Sequence, residues 1–239
     1  EIKVQAVRNL GGDRVTVELH GNAYDDAYRY ALEIAESKGM TFVHPYDDPE
    51  VIAGQGTVAR EILHQSTGDL DAIFVPVGGG GLISGIAAYV KYLRPETKVI
   101  GVEPMDAPSM YEALRTGERV RLDQVGIFAD GVAVRQVGEE PFRIASKCVD
   151  EVILVSSDEI CAAIKDIFED TRSITEPAGA LGVAGIKKYV EREGVSGQSF
   201  VAIDSGANIN FDRLRHVAER AQIGERREAL IAVTIPARP

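Results

Sequence analysis

The sequence of 239 residues predicts an α/β fold: a mostly parallel sheet with helices on both faces. Three features lead there. Strand-like and helix-like stretches alternate along most of the chain, which calls for crossover connections between parallel strands. The run Ala72–Val77 is almost wholly apolar, as suits a strand covered on both faces. It leads directly into four glycines, Gly78 to Gly81, and then into a helical pattern, and no internal repeat or low-complexity tract interrupts the series.

Taken in order, Glu1–Leu10 has a helical pattern through Ile2, Val4 and Val7. Val15–Leu19 reads as a strand, Asn22–Ser37 as an amphipathic helix and Thr41–His44 as a second short strand. Pro45 and Pro49 precede a helix through Ala59, Ile62 and Leu63, with the stretch Ala53-Gly54-Gln55-Gly56-Thr57 read as its cap. A helix through Leu82, Ile86 and Val90 follows the glycines, then a strand at Val99–Val102. Thr116–Val137 has no sustained period and reads as a long loop. Glu151–Val155 is a strand, and Ser157-Asp158 opens a helix through Ile160, Ile164 and Phe168. A long helix covers Ala178–Tyr189, with Pro177 suited to its first position. Phe200–Ile203 is a strand ending at Asp204-Ser205-Gly206-Ala207-Asn208. Ala229–Ile235 is a strongly apolar strand that needs partners, from the main sheet or from strands beyond it.

Composition narrows the function classes. An apolar share of 45% is enough for a large core. The net charge of −11 excludes the clustered basic surface that nucleic acid requires. No apolar run approaches the roughly 20 residues of a membrane span, and Glu1-Ile2 opens neither a basic nor an apolar leader. Cys148 and Cys161 have no metal-like spacing, and His20, His44, His64 and His216 are scattered. Free thiols in a reducing cytoplasm, no membrane partner and no metal are the expectations.

The chemistry sits at the glycines. A turn without Cβ atoms lets backbone N–H groups approach a ligand closely, and the helix behind it favours an anion. A phosphate fits Gly78, Gly79, Gly80 and Gly81; a plain strand-to-helix turn would need fewer glycines. The dinucleotide spacing fails, because Ile83 or Ser84 falls where its third glycine belongs. Glu103, at the end of the next strand, keeps a nucleotide-dependent oxidoreductase open, since a ribose-binding acid sits at about that distance. Ser205 ends a strand where ligands of parallel sheets bind, although Ser and Asn also serve as turn and cap residues. Glu176, before Pro177, reads on its own as a helix-capping carboxylate.

Four segments in this order, Gly78-Gly79-Gly80-Gly81-Leu82, Phe128-Ala129-Asp130-Gly131-Val132-Ala133-Val134, Glu176-Pro177-Ala178-Gly179-Ala180 and Ser205-Gly206-Ala207-Asn208, resemble the fold-type II pyridoxal-phosphate enzymes. Among these the sequence resembles the biosynthetic threonine dehydratase family. Ala53-Gly54-Gln55-Gly56-Thr57, Phe168-Glu169-Asp170 and the ending Arg227–Pro236 share in that likeness.

The resemblance implies pyridoxal 5'-phosphate as cofactor. Gly78, Gly79, Gly80, Gly81 and Leu82 would hold its phosphate, Gly131 would line its ring, Glu176 would belong to the cofactor site, and Ser205 would bond the pyridine nitrogen. It also implies an amino-acid substrate, dehydration and deamination of threonine or serine, and a homo-oligomer at full length. By the same comparison, residues 1–44 are the remainder of a small domain, 45–222 most of the large cofactor-binding domain, and 223–239 a linker and the first strand of an ACT-like regulatory domain. The family's Schiff-base lysine and its Ser-Ser-Gly-Asn-like loop match nothing here. Lys3, Lys38, Lys91, Lys98, Lys147, Lys165, Lys187 and Lys188 all lack the lysine's context. The expectation is therefore a chain truncated at both ends that has no dehydratase activity alone. Ser109 stands where some relatives carry a metal-binding carboxylate, so no metal is expected there. A serine racemase-like or serine dehydratase-like enzyme and a non-catalytic phosphate-ligand or regulatory module are the alternatives.

Overall fold

The computed structural model describes residues 2–21, 24–229 and 231, and the chain divides into two compact units, Glu1–Pro45 and Tyr46–Pro239. No helix among the described residues is long and apolar enough to cross a membrane.

The first unit holds α1 (Ile2–Gly11), a 3-10 turn at Gly12–Arg14 and α2 (Tyr24–Lys38). Aromatic contacts tie its extended segments down. His20 stacks on Tyr30 at 4.1 Å between ring centroids, and Tyr28, Phe42 and His44 meet edge to face. The two strands expected at Val15–Leu19 and Thr41–His44 do not form: both segments are irregular, and no ladder partner lies beside them among the described residues of this unit. β-like composition does not make a strand where backbone groups have nothing to pair with.

The second unit is a parallel sheet of four strands in the order β3-β2-β1-β4: β1 (Ala72–Pro76), β2 (Lys98–Pro104), β3 (Glu151–Val155) and β4 (Phe200–Ala202). Alternate side chains feed two cores. Ile73, Val75 and Val99 pack with α3 (Pro49–Gln65), α4 (Gly81–Leu93), α5 (Ser109–Thr116) and α6 (Glu139–Cys148). Ala72, Phe74, Ile100 and Val102 pack with α7 (Ser157–Thr171), α8 (Leu181–Glu193) and α9 (Arg213–Gly224). Burial on both faces explains the apolar β1, as the sequence indicated.

Several boundaries differ from expectation. The stretch Ala53–Thr57 lies inside α3; the cap is Asp48, whose carboxylate accepts from the amide of Glu50 at 2.8 Å, with Pro49 opening the first turn. Those glycines serve a helix crossing instead. A Cβ on Gly56 would lie 3.2 Å from the carbonyl oxygen of Gly85, and one on Gly85 would overlap the backbone of Ile52. The last strong helix starts at Leu181, because Pro177–Ala180 form a turn before it. Helices α5, α6 and α9 had no sequence expectation; each presents only two or three buried side chains, too few to stand out from an irregular stretch. The expected strand Ala229–Ile235 falls mostly outside the described residues.

Cys161 is buried and Cys148 half-buried, both as free thiols, and burial pushes the Cys161 thiol up to about 12. At that value it is a packing residue. The close helix crossing yields a test: Gly85→Ala, which elsewhere in a helix would stabilise, is expected to cost about 1–3 kcal/mol by forcing α3 and α4 apart. Denaturant unfolding of the variant measures it.

Candidate functional site

Strand order fixes where a ligand can approach. From β1 the chain crosses to β2 on one side, whereas β4 returns on the other side of β1. The loops leaving β1 and β4 therefore part at the carboxyl edge of the sheet, the crevice where ligands of open parallel sheets bind. Gly78–Gly81 leaves β1 and Asp204–Asn208 leaves β4.

The glycine turn is walled in. Gly80 has φ +95°, a left-handed conformation that favours glycine, and a Cβ there would lie 2.8 Å from both Met110 Cε and Pro141 Cβ. A Cβ on Gly79 would overlap the ring of Tyr46, and one on Gly81 would lie 3.0 Å from the Tyr46 backbone. Gly78 abuts Val132, whose Cα would be 3.0 Å from an added Cβ. Within this turn the amides of Gly78, Gly79, Gly80, Gly81 and Leu82 donate to no backbone carbonyl among the described residues. No side chain caps α4. Its neighbours differ: Asp48 caps α3, Glu103 accepts from the first turn of α5, Asp47 from that of α6, and Ser156 with Glu159 forms a capping box on α7. The start of α4 thus keeps its unpaired donors and positive dipole end for an external acceptor.

The other predicted residues gather beside it. Gly131 sits in a 3-10 turn (Asp130–Val132) next to Val132, and a Cβ on it would lie 3.4 Å from Glu176 Oε1. Glu176 in turn faces Gly206, where any Cβ would overlap the same oxygen. The Glu176 amide donates to the Gly206 carbonyl at 2.9 Å, and the Thr175 hydroxyl bonds that carbonyl at 2.6 Å. Segments around 78, 131, 176 and 205 therefore form one continuous edge. Ser205 is exposed there. Glu176 does not cap α8: its backbone carbonyl accepts from Ala180, its side chain turns toward the glycines, and its Oε2 is buried without a hydrogen-bond partner. These groups suit a ligand that pairs an anion with a polar ring. The amides supply donors for phosphate oxygens.

Lysines of the second unit are employed elsewhere. Lys91 bonds the carbonyls of Pro95 and Thr97 and pairs with Asp150 at 2.8 Å, and Lys98 opens β2 with Tyr189 at 3.2 Å, both at the amino edge of the sheet. Lys165, Lys187 and Lys188 pair with Glu225, Asp166 and Glu159, and Lys147 is exposed late in α6. The sequence reading missed Tyr46 and Asp47, which touch the glycine turn and α6 from far along the chain. The pair Asp47-Asp48 before Pro49 signalled one cap, whereas the second cap has no local signature.

Known proteins share this fold. A family model described as pyridoxal-phosphate dependent enzyme matches residues 1–206. The chain is 59% identical over 236 residues to the L-threonine dehydratase biosynthetic IlvA of Burkholderia multivorans, covering 99% of this chain and 46% of that protein. It is 58% identical to the threonine dehydratase biosynthetic, chloroplastic, of Arabidopsis thaliana, covering 100% of this chain and 40% of that one. The chain therefore spans about half the length of the curated relatives it matches, or less. The processed form of threonine deaminase isoform 2 from Solanum lycopersicum superposes with a TM-score of 0.89 at 47% identity, covering 93% of this chain and 60% of that structure.

Glu103, weighed as a ribose ligand, is fully buried and faces α5. Its oxygens accept from the amides of Met110 and Tyr111, each at 2.8 Å, and from the Ser109 hydroxyl at 3.3 Å. No ribose can reach it, so the oxidoreductase reading loses its support. Burial pushes its carboxyl from the ordinary 4.5 up to about 7, against the opposing pull of those donors. A folded value above the unfolded one makes this contribution complete below about 4.5 and lost as pH rises through about 7. Stability measured by denaturant midpoint is thus expected to decline across that window, and Glu103→Gln is expected to flatten the decline while weakening the fold through the lost acceptor.

Proposed function

This chain belongs to the pyridoxal-phosphate-dependent enzyme family, and from that premise we propose that its second unit holds the cofactor at the carboxyl edge of the sheet. The amides of Gly78, Gly79, Gly80, Gly81 and Leu82 bind the phosphate, the backbone at Gly131 lines the ring, Glu176 borders it, and the Ser205 hydroxyl meets the pyridine nitrogen. The observation that carries this reading is the set of unpaired amides in a turn too crowded for any side chain. Five amides that donate to no backbone carbonyl among the described residues have no such bond to give up on receiving a dianion. The expected outcome is that pyridoxal 5'-phosphate binds at least about tenfold more tightly than pyridoxal, and that inorganic phosphate competes with the former alone. Equal affinity for the two, by equilibrium dialysis, would remove the phosphate assignment.

For the whole protein we propose the dehydration and deamination of threonine, with serine as a second substrate. When bound, the cofactor supplies an electron sink for the carbanion formed at the α-carbon of an amino acid. The chain's contribution is to hold and tune it. A serine at the ring nitrogen, unlike a carboxylate, does not keep that nitrogen protonated, which favours loss of a β-hydroxyl over transamination. The α C–H and β C–O bonds break, water leaves, and the enamine released hydrolyses to 2-oxobutanoate and ammonia. The α-proton needs a base close to the ring, and the lysines of the second unit are paired elsewhere or lie away from the turn. The 239-residue chain by itself is accordingly expected to bind the cofactor without forming 2-oxobutanoate from threonine. Borohydride reduction and mass spectrometry check this: a single lysine carrying the cofactor, together with turnover, would overturn the division of labour. In the full protein, racemised serine without 2-oxo acid would favour a racemase.

A further inference from the structure

A turn of four glycines has a weakness that its chemistry cannot tolerate. With no Cβ on either side, the peptide linking Gly79 and Gly80 can flip at little steric cost. A flip exchanges an N–H for a carbonyl oxygen, so the turn would present an acceptor where an anion needs a donor. Something outside the turn has to select one orientation.

The selecting contact is visible. The Gly138 amide donates to the Gly79 carbonyl at 3.0 Å, and because a trans peptide points its two polar groups in opposite directions, the Gly80 amide faces away from Gly138. Gly138 is itself clamped: a Cβ on it would lie 2.8 Å from Asp47 Cγ and from Pro141. It stands at the start of α6 and, as a glycine, has no side chain to cap that helix. Asp47 does so from 92 residues upstream, one oxygen accepting from the Glu139 amide at 2.8 Å and the other from the Glu140 amide at 2.9 Å. On the far side, Ser84 of α4 donates to the Pro141 carbonyl at 3.0 Å. The first turn of α6 is therefore a fixed block, held by Asp47 behind and Ser84 in front, and the glycine turn hangs on its leading amide.

We propose that Asp47 is a positioning residue for the phosphate turn, acting through Gly138 to fix the Gly79 carbonyl and hence the Gly80 amide. Its carboxylate has a second effect of the same sign. By occupying the start of α6 it satisfies that helix, which removes a competing anion site beside the glycine turn. The proposal rests on the reading of Gly78–Gly81 as the phosphate turn. Tyr46, next in the chain, fills the space above Gly79 and Gly81, so residues 46 and 47 brace the turn together.

The test measures affinity for pyridoxal 5'-phosphate and for pyridoxal in the full chain, for the wild type, Asp47→Ala and Asp48→Ala. Asp48 caps α3 in the same manner and accepts from the amides of Glu50 and Val51, not of α6, so it controls for the loss of a helix cap. Asp47→Ala is expected to weaken the phosphorylated ligand by about tenfold while leaving pyridoxal unchanged, since only the phosphate reads the turn. Asp48→Ala is expected to lower thermal stability to a similar degree and keep the wild-type preference. If the wild type itself shows no preference for the phosphorylated ligand, the phosphate reading fails and the proposal with it. If the preference exists and Asp47→Ala retains it, or Asp48→Ala loses as much, Asp47 is only a cap and the proposal alone is overturned. Should Asp47→Ala fail to fold, Asp47→Asn, which keeps one acceptor and the shape, is expected to show a smaller loss confined to the phosphorylated ligand; an unchanged preference there counts against the proposal equally.

Discussion

Between the end of β1 and the start of α4 the chain has to turn in a space that admits no side chain. Tyr46, Met110, Pro141 and Val132 wall that space. Much of the second unit follows from this confinement. A turn stripped of Cβ atoms has only peptide groups to offer, and wherever its carbonyls are taken, its amides remain. The close packing that demands glycine is thus the same feature that leaves donors at the carboxyl edge of the sheet.

Charge is distributed around that turn in a consistent way. Asp47, Asp48, Glu103 and Glu159 are each spent on the first turn of a helix other than α4. Helix starts attract anions, and several such starts lie on this unit. Satisfying those four internally leaves the start of α4 among the open ones, which gives a small anionic group a destination in a chain whose net charge is −11. Lys91 and Lys98 are bonded at the opposite edge of the sheet.

Glu176 shows how tertiary contacts reassign a residue. Locally it looks like a helix cap, since a proline and small residues follow it. In the fold, the turn Pro177–Ala180 carries the helix start away, and the side chain lies between Gly131 and Gly206 with one buried oxygen lacking a partner. Gly206 is needed because the carboxylate occupies the volume its side chain would take, and Gly131 because Ala178 lies against it. A buried acceptor without a donor is costly in the unliganded protein, and a ligand with a polar edge would offset that cost.

The sequence by itself determined the fold class and the four sheet strands, because these depend on local period, and it singled out the glycine turn by its local steric freedom; Gly131 and Glu176 entered only through the resemblance of short motifs. Even so, local pattern misled at Val15–Leu19 and Thr41–His44, where strand-like composition had no ladder to join, and at Gly56, whose missing side chain serves the approach to Gly85 in place of a cap. Only the tertiary structure decided that Glu103 is buried against α5, that Tyr46 covers the turn, and that Asp47 caps a helix 92 residues later. Those facts rest on contacts between segments distant in the chain. No short-range pattern encodes which carboxylate reaches which amide until parallel strands and their crossover helices have brought the partners together.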